Sequence, residues 1–91
     1  MKKQAQPSPR RERPGGSFDE RLGGEIRAMR RRRGLTINEL AEISGLTGQQ
    51  VHRAEVGGAR ITVFVLVQLA AALNVPVIYF LTSANERRAA E

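Results

Sequence analysis

Three short stretches place a hydroxyl three residues ahead of a Glu or Gln: Ser17-Phe-Asp-Glu20, Thr36-Ile-Asn-Glu39 and Thr47-Gly-Gln-Gln50. That spacing builds a capping box. The hydroxyl oxygen accepts from the N–H three residues on, and the Glu or Gln side chain accepts from the cap's own N–H. Side chains for bond-making chemistry are scarce by comparison. One His, no Cys and no cluster of acids leave neither a metal site nor a nucleophile–base pair. Gly57-Gly58 lacks the lysine and spacing of a phosphate loop. The inventory argues against an enzyme, implies no cofactor and no metal, and leaves hydrogen bonding and charge as the available chemistry.

The formal charge of +6 is unevenly spread. Residues 1–16 hold Lys2, Lys3, Arg10, Arg11 and Arg13 against Glu12, a balance of +4. They include three prolines and no large apolar residue after Met1, so they are expected to form a disordered basic tail. Residues 82–91 balance to zero and are expected to fray. The folded body is placed at residues 17–81, enough for one small aliphatic core. A basic chain favours polyanions, but charge alone does not separate DNA, RNA and anionic lipid. No apolar run follows Met1-Lys2-Lys3, so no secretory signal is read. This and the lack of cysteine fit a cytoplasmic protein.

The boxes predict successive helices. The first runs from about Phe18 to Arg33 with Leu22, Ile26 and Met29 on one face, and Gly34 takes a left-handed stop. The second covers Ile37 to Ser44 and buries Leu40, Ala41 and Ile43. Gly45 falls where that helix must stop and turn, a place that requires positive φ. The third starts at the Thr47 cap and runs to about Val56, leaving through Gly57-Gly58. Two short helices joined by a glycine turn form a helix-turn-helix.

Residues 61–67 are rich in β-branched side chains, yet nothing else in the body alternates to pair with a strand. Leu66, Leu69, Ala70 and Leu73 recur at helical spacing, so a fourth helix is assigned to Thr62–Leu73 and a fifth to Pro76–Leu81. Ile61 to Leu81 carries no charge and has the length of a membrane span. Gln68 and the Asn74-Val-Pro76 break argue against that reading, as does the core the upstream helices need.

IRAMRRRRGLT (26–36), NELAEISGLTGQQV (38–51), Glu55-Val-Gly57 and LAAALNVPVIYFL (69–81) resemble the bacterial Cro and phage-repressor type helix-turn-helix family. QQVHRAEVGGARI is similar to a bacterial regulator subgroup within it. The resemblance implies an all-α, five-helix, lambda-repressor-like domain that binds double-stranded DNA, usually as a homodimeric transcription regulator. It places the third helix in the major groove. Carried onto this chain, the base-contacting positions are Gly48, Gln49 and Arg53, with His52 and Gln50 nearby. Gln pairs bidentately with adenine and Arg with guanine. Gly48 lacks the reading side chain that relatives often carry there, and Ile37 stands where many carry Gln. Thr36 and Thr47 at helix N-termini, with Gln50 and Arg60, are the expected phosphate contacts. The family's ion pair between first and third helices maps to Arg30 and Glu55.

The fourth and fifth helices hold more apolar residues than so small a core readily hides. Val77 and Tyr79 are the expected dimer contacts, and Phe64 and Val65 belong either to the core or to that surface. The competing function is a protein-interaction module of antitoxin-like type, docking a partner chain on the apolar fourth helix. No small-molecule effector is suggested by any motif.

Overall fold

Each capping box opens a helix. In a computed structural model, which describes residues 17–57 and 60–90, Ser17, Thr36 and Thr47 form complete boxes with Glu20, Glu39 and Gln50. The expected disordered tail at 1–16 and Gly58 of the exit pair fall outside the described residues. Five helices follow in order: α1 (Phe18–Arg32), α2 (Ile37–Ser44), α3 (Gly48–Val56), α4 (Val63–Leu73) and α5 (Val77–Ala90). The described chain is all-α, as the spacing of apolar residues predicts.

The stops are those the glycines allow. Gly34, Gly45 and Gly57 have φ near +70, +77 and +70, where a Cβ would be strained. Asn74 takes the same left-handed turn at φ +60 to end α4, a conformation asparagine tolerates better than most residues. The β-branched stretch at 61–67 is helical from Val63, because Thr62 caps it by accepting from Val65 N at 3.2 Å. Leu66, Leu69, Ala70 and Leu73 then turn inward to meet Leu22, Ile26, Leu40, Val51 and Phe80. Tertiary burial has overridden strand propensity.

Two expectations are corrected. Ile43 is 58% exposed, while Leu40, Ala41 and Ser44 form the inner face of α2. Ile43 lies one residue, about 100° of rotation, away from Ser44. The fifth helix does not end at Leu81; it begins at Val77 and continues to Ala90. It continues past Leu81 because Ala84 is fully buried and its carbonyl accepts from Arg21 Nε at 3.1 Å, which holds that turn against α1.

Side chains also finish helix ends in this body. Arg33 Nε donates to Leu73 O at 2.8 Å at the end of α4, and Gln68 Nε2 to Ser44 O at 3.0 Å at the end of α2. Each answers carbonyls that a helix leaves without internal partners. Among the described residues no single helix is long and apolar enough to cross a membrane. The uncharged run is bent by 105° between α4 and Val77–Glu86.

Candidate nucleic-acid interface

Helix α3 has two chemically distinct sides. Val51 and Ala54 are buried, and Glu55 is turned inward with them. Gln49, Gln50, His52 and Arg53 are exposed. A helix presents this division when every third or fourth residue packs and the others face solvent. The exposed side therefore offers two amides, an imidazole and a guanidinium from one short helix.

The inner side is held firmly. Glu55 accepts from Arg30 through both oxygens, Oε2 from Nε at 2.6 Å and Oε1 from Nη2 at 3.0 Å. The pair is deeply buried, with side-chain exposures of 10% for Arg30 and 3% for Glu55. Arg30 Nη1 also donates to Leu35 O at 2.7 Å, tying the turn before α2 into the same network. The hydrogen bonds to the Glu55 carboxylate raise the Arg30 pKa above its ordinary value, against the opposing effect of burial. Gly23 on α1 makes the close approach possible: a Cβ there would lie 2.3 Å from Ala54 O and 2.6 Å from Glu55 O.

The N-termini of α2 and α3 carry the same motif with different charge. Thr36 Oγ1 accepts from Glu39 N at 3.0 Å, and Glu39 Oε1 accepts from Thr36 N at 2.8 Å. Thr47 Oγ1 accepts from Gln50 N at 3.0 Å, and Gln50 Oε1 from Thr47 N at 2.9 Å. A carboxylate thus already sits at the positive end of α2, whereas α3 is capped by a neutral amide whose NH2 remains available to donate. Of the two threonines, Thr47 is in the better field for an incoming anion.

Gln50, Arg53 and Arg60 come together at the junction of α3 and α4. With Ala54, Ile61, Thr62 and Val65 they line a cavity of about 150 Å3. Two guanidiniums, an amide and the cap of α4 therefore surround one recess, beside the apolar side chains of Ile61 and Val65. Thr62 is the member that sequence reasoning treated only as a cap. Its place in the recess depends on the path from Gly57 to Ile61, for which spacing carries no signal.

The expected dimer residues are placed differently from one another. Val77 is half-buried against the core, and Tyr79 is 36% exposed with its ring edge-on to Phe80 at 5.6 Å. Phe64 is 63% exposed, so it is not core; Val65 is half-buried and packs against the core. Val63, Val67 and Ile78 add further exposed apolar area at 77%, 42% and 64%.

The order of these helices, the glycine turn and the outward polar face of α3 define a helix-turn-helix domain. A family model described as helix-turn-helix matches residues 26–80, more than half of the chain. The chain belongs to that family. Among solved structures it is similar to the clp gene regulator ClgR of Corynebacterium glutamicum, at 29% identity and a TM-score of 0.75, covering 84% of this chain and 81% of that one. The restriction-modification controller protein C.AhdI of Aeromonas hydrophila gives 28% identity and a TM-score of 0.65, covering 67% and 92%. PlcR of Bacillus thuringiensis, solved with the peptide PapR7 and DNA, gives 36% identity and a TM-score of 0.64, covering 70% of this chain and 22% of PlcR. No curated protein sequence matches the chain. Family and neighbours put it among DNA-binding transcriptional regulators.

Proposed function

We propose that this protein is a sequence-specific regulator of bacterial, cytoplasmic type that lays α3 in the major groove of duplex DNA. One observation carries the reading: Gln49, His52 and Arg53 stand on the exposed side of a helix whose other side is fixed by Val51, Ala54 and Glu55. Arg53 and Gln49 supply the bidentate groups that read guanine and adenine, and His52 borders them. Gly48 offers no side chain of its own at the head of the helix. Phosphates on either side are held by Thr47, by Gln50 and Arg60 at the recess, and more weakly by Thr36 beside Glu39. PlcR, a neighbour solved with DNA, supports the assignment by likeness.

One copy covers only a half-site, so the functional unit in this reading is a homodimer with its two α3 helices about 34 Å apart. The exposed apolar residues of α4 and α5 supply a surface for it, with Ile78 and Tyr79 on α5 and Phe64 and Val67 along α4, and half-buried Val77 adding less. The same exposed α4 favours the second reading, a module that docks a different protein chain.

Selection from a randomised duplex pool, followed by footprinting and sedimentation, tests both. The first reading expects a palindromic protected site and a dimer. Arg53→Ala should cost about 1–3 kcal/mol on that site and relax one base pair. A monomer that protects no duplex and purifies with a stoichiometric partner supports the second reading and refutes the first.

A further inference from the structure

Gly48 opens α3 at the surface, yet it is only half-exposed, and its backbone is not in the left-handed region that demands glycine. What stands over it is Asn38, in the first turn of α2. A Cβ at position 48 would lie 2.9 Å from Asn38 Oδ1. The missing side chain therefore leaves room for the Asn38 amide over the first turn of α3.

Asn38 has no other task that accounts for it. The cap of α2 is Thr36, with Glu39 completing the box, so Asn38 is not used as a cap. Asparagine is a poor helix former, and it contributes nothing to the core from an exposed position. Among the described residues its amide makes no hydrogen bond, so donor and acceptor are both free. An asparagine amide with both groups free matches the N6 and N7 edge of adenine in the major groove.

We propose that Asn38 reads the base pair that residue 48 would otherwise face, so that recognition is shared between α2 and the first turn of α3. The inference rests on α3 entering the major groove. It makes a glycine at the head of the reading helix a means of admitting a side chain from its neighbour, not a lost contact.

The test uses the full chain, randomised duplex selection and competition binding on the selected site. Wild type should prefer adenine at one position next to the base pair whose preference is lost in Gln49→Ala. Asn38→Ala should lose about tenfold discrimination there and keep the other positions. Gly48→Ala should lose the same position, because its Cβ displaces the flexible amide. The double variant should be no worse than either single one, since both remove one contact. Far-ultraviolet circular dichroism and urea unfolding check that both variants fold as wild type does. A selected site ranked identically by wild type and Asn38→Ala overturns this inference alone. So does a Gly48→Ala defect that Asn38→Ala does not share. A wild type that selects no duplex overturns the DNA reading beneath it.

Discussion

Replacing Glu55 with Leu removes the carboxylate that Arg30 was buried to meet. In the folded chain Arg30 loses its partners at 2.6 and 3.0 Å and retains only the Leu35 carbonyl at 2.7 Å. With the Arg30 side chain 10% exposed, water cannot solvate the orphaned guanidinium freely. Breaking a buried pair on one side costs about 3–5 kcal/mol, whereas replacing both members by apolar groups of similar volume is often neutral or stabilising. A domain this small holds roughly 5 kcal/mol in total, the low end of the range for folded proteins. Glu55→Leu should therefore lie near its unfolding midpoint in plain buffer. Arg30→Met should lose a similar amount, with about 1 kcal/mol attributable to the Leu35 carbonyl left without its donor. Arg30→Met/Glu55→Leu should recover to within about 2 kcal/mol of wild type, because only the Leu35 contact stays lost. Urea unfolding followed by circular dichroism reads all three. At about 1 kcal/mol per molar urea, the singles lose the whole folded baseline and the double restores it. A double variant as unstable as either single would refute the idea that the cost lies in the unpaired charge. A loss below about 1 kcal/mol in Glu55→Leu would show that the pair behaves as a solvated one.

Three further outcomes follow from the same structure. Gly23→Ala puts a Cβ 2.3 Å from Ala54 O, a backbone atom that cannot swing aside. It should destabilise by about 1–3 kcal/mol in urea, and an unchanged midpoint would mean that α1 and α3 separate without cost. Thr47→Ala and Thr36→Ala should cost similar stability as cap losses, about 1 kcal/mol each. Thr47→Ala should weaken duplex binding more, because Glu39 already occupies the field at α2; equal binding losses would remove that distinction. Deleting residues 1–16, which carry +4, should flatten the salt dependence of duplex affinity and leave the selected site unchanged. An unaltered salt slope would exclude the segment from phosphate contact.

Most of the fold was legible because its signals are local. A hydroxyl three residues ahead of Glu or Gln, a glycine where a helix must stop, and Leu22-Ile26-Met29 at helical spacing each act within one or two turns. Ile43 was misread for the opposite reason. Both it and Ser44 fit an inward arc of α2 by periodicity, and the arc set by Leu40 and Ala41 against the other helices takes in Ser44 and leaves Ile43 outside. The end of α5 was missed likewise: the small, polar stretch after Leu81 reads as a tail until Arg21 reaches across from α1 to Ala84. Gly23 gave no warning, since a glycine inside a helix reads as a cost until the backbone behind it is seen. At the candidate site the exposure of Gln49 and Arg53 followed from the period of α3. The recess joining Gln50, Arg53 and Arg60 did not, because it depends on how α4 returns after Gly57.

The two sides of α3 are constrained to very different degrees, and the proposed function rests on that inequality. Inward, Val51 is fully buried, Gly23 sets the distance to α1, Gly57 turns the chain against Glu20, and the Arg30–Glu55 pair fixes rotation about the helix axis. A rigid body of this kind can hold reading groups to the fraction of an ångström that bidentate base contacts need. Outward, the side chains of Gln49, His52 and Arg53 make no hydrogen bond among the described residues, so their identity can change at little cost to stability. Affinity and discrimination are separated in the same way. Most of the excess positive charge lies in residues 1–16, while α3 carries one outward arginine, Arg53, and its Glu55 is paired inward with Arg30. Attraction to a polyanion can thus come largely from outside α3, which presents a single arginine on its exposed side. Under the proposed function, the choice among sequences then falls on the hydrogen-bonding pattern at the head of α3, where Asn38 stands over Gly48 and Gln49 follows it in the chain.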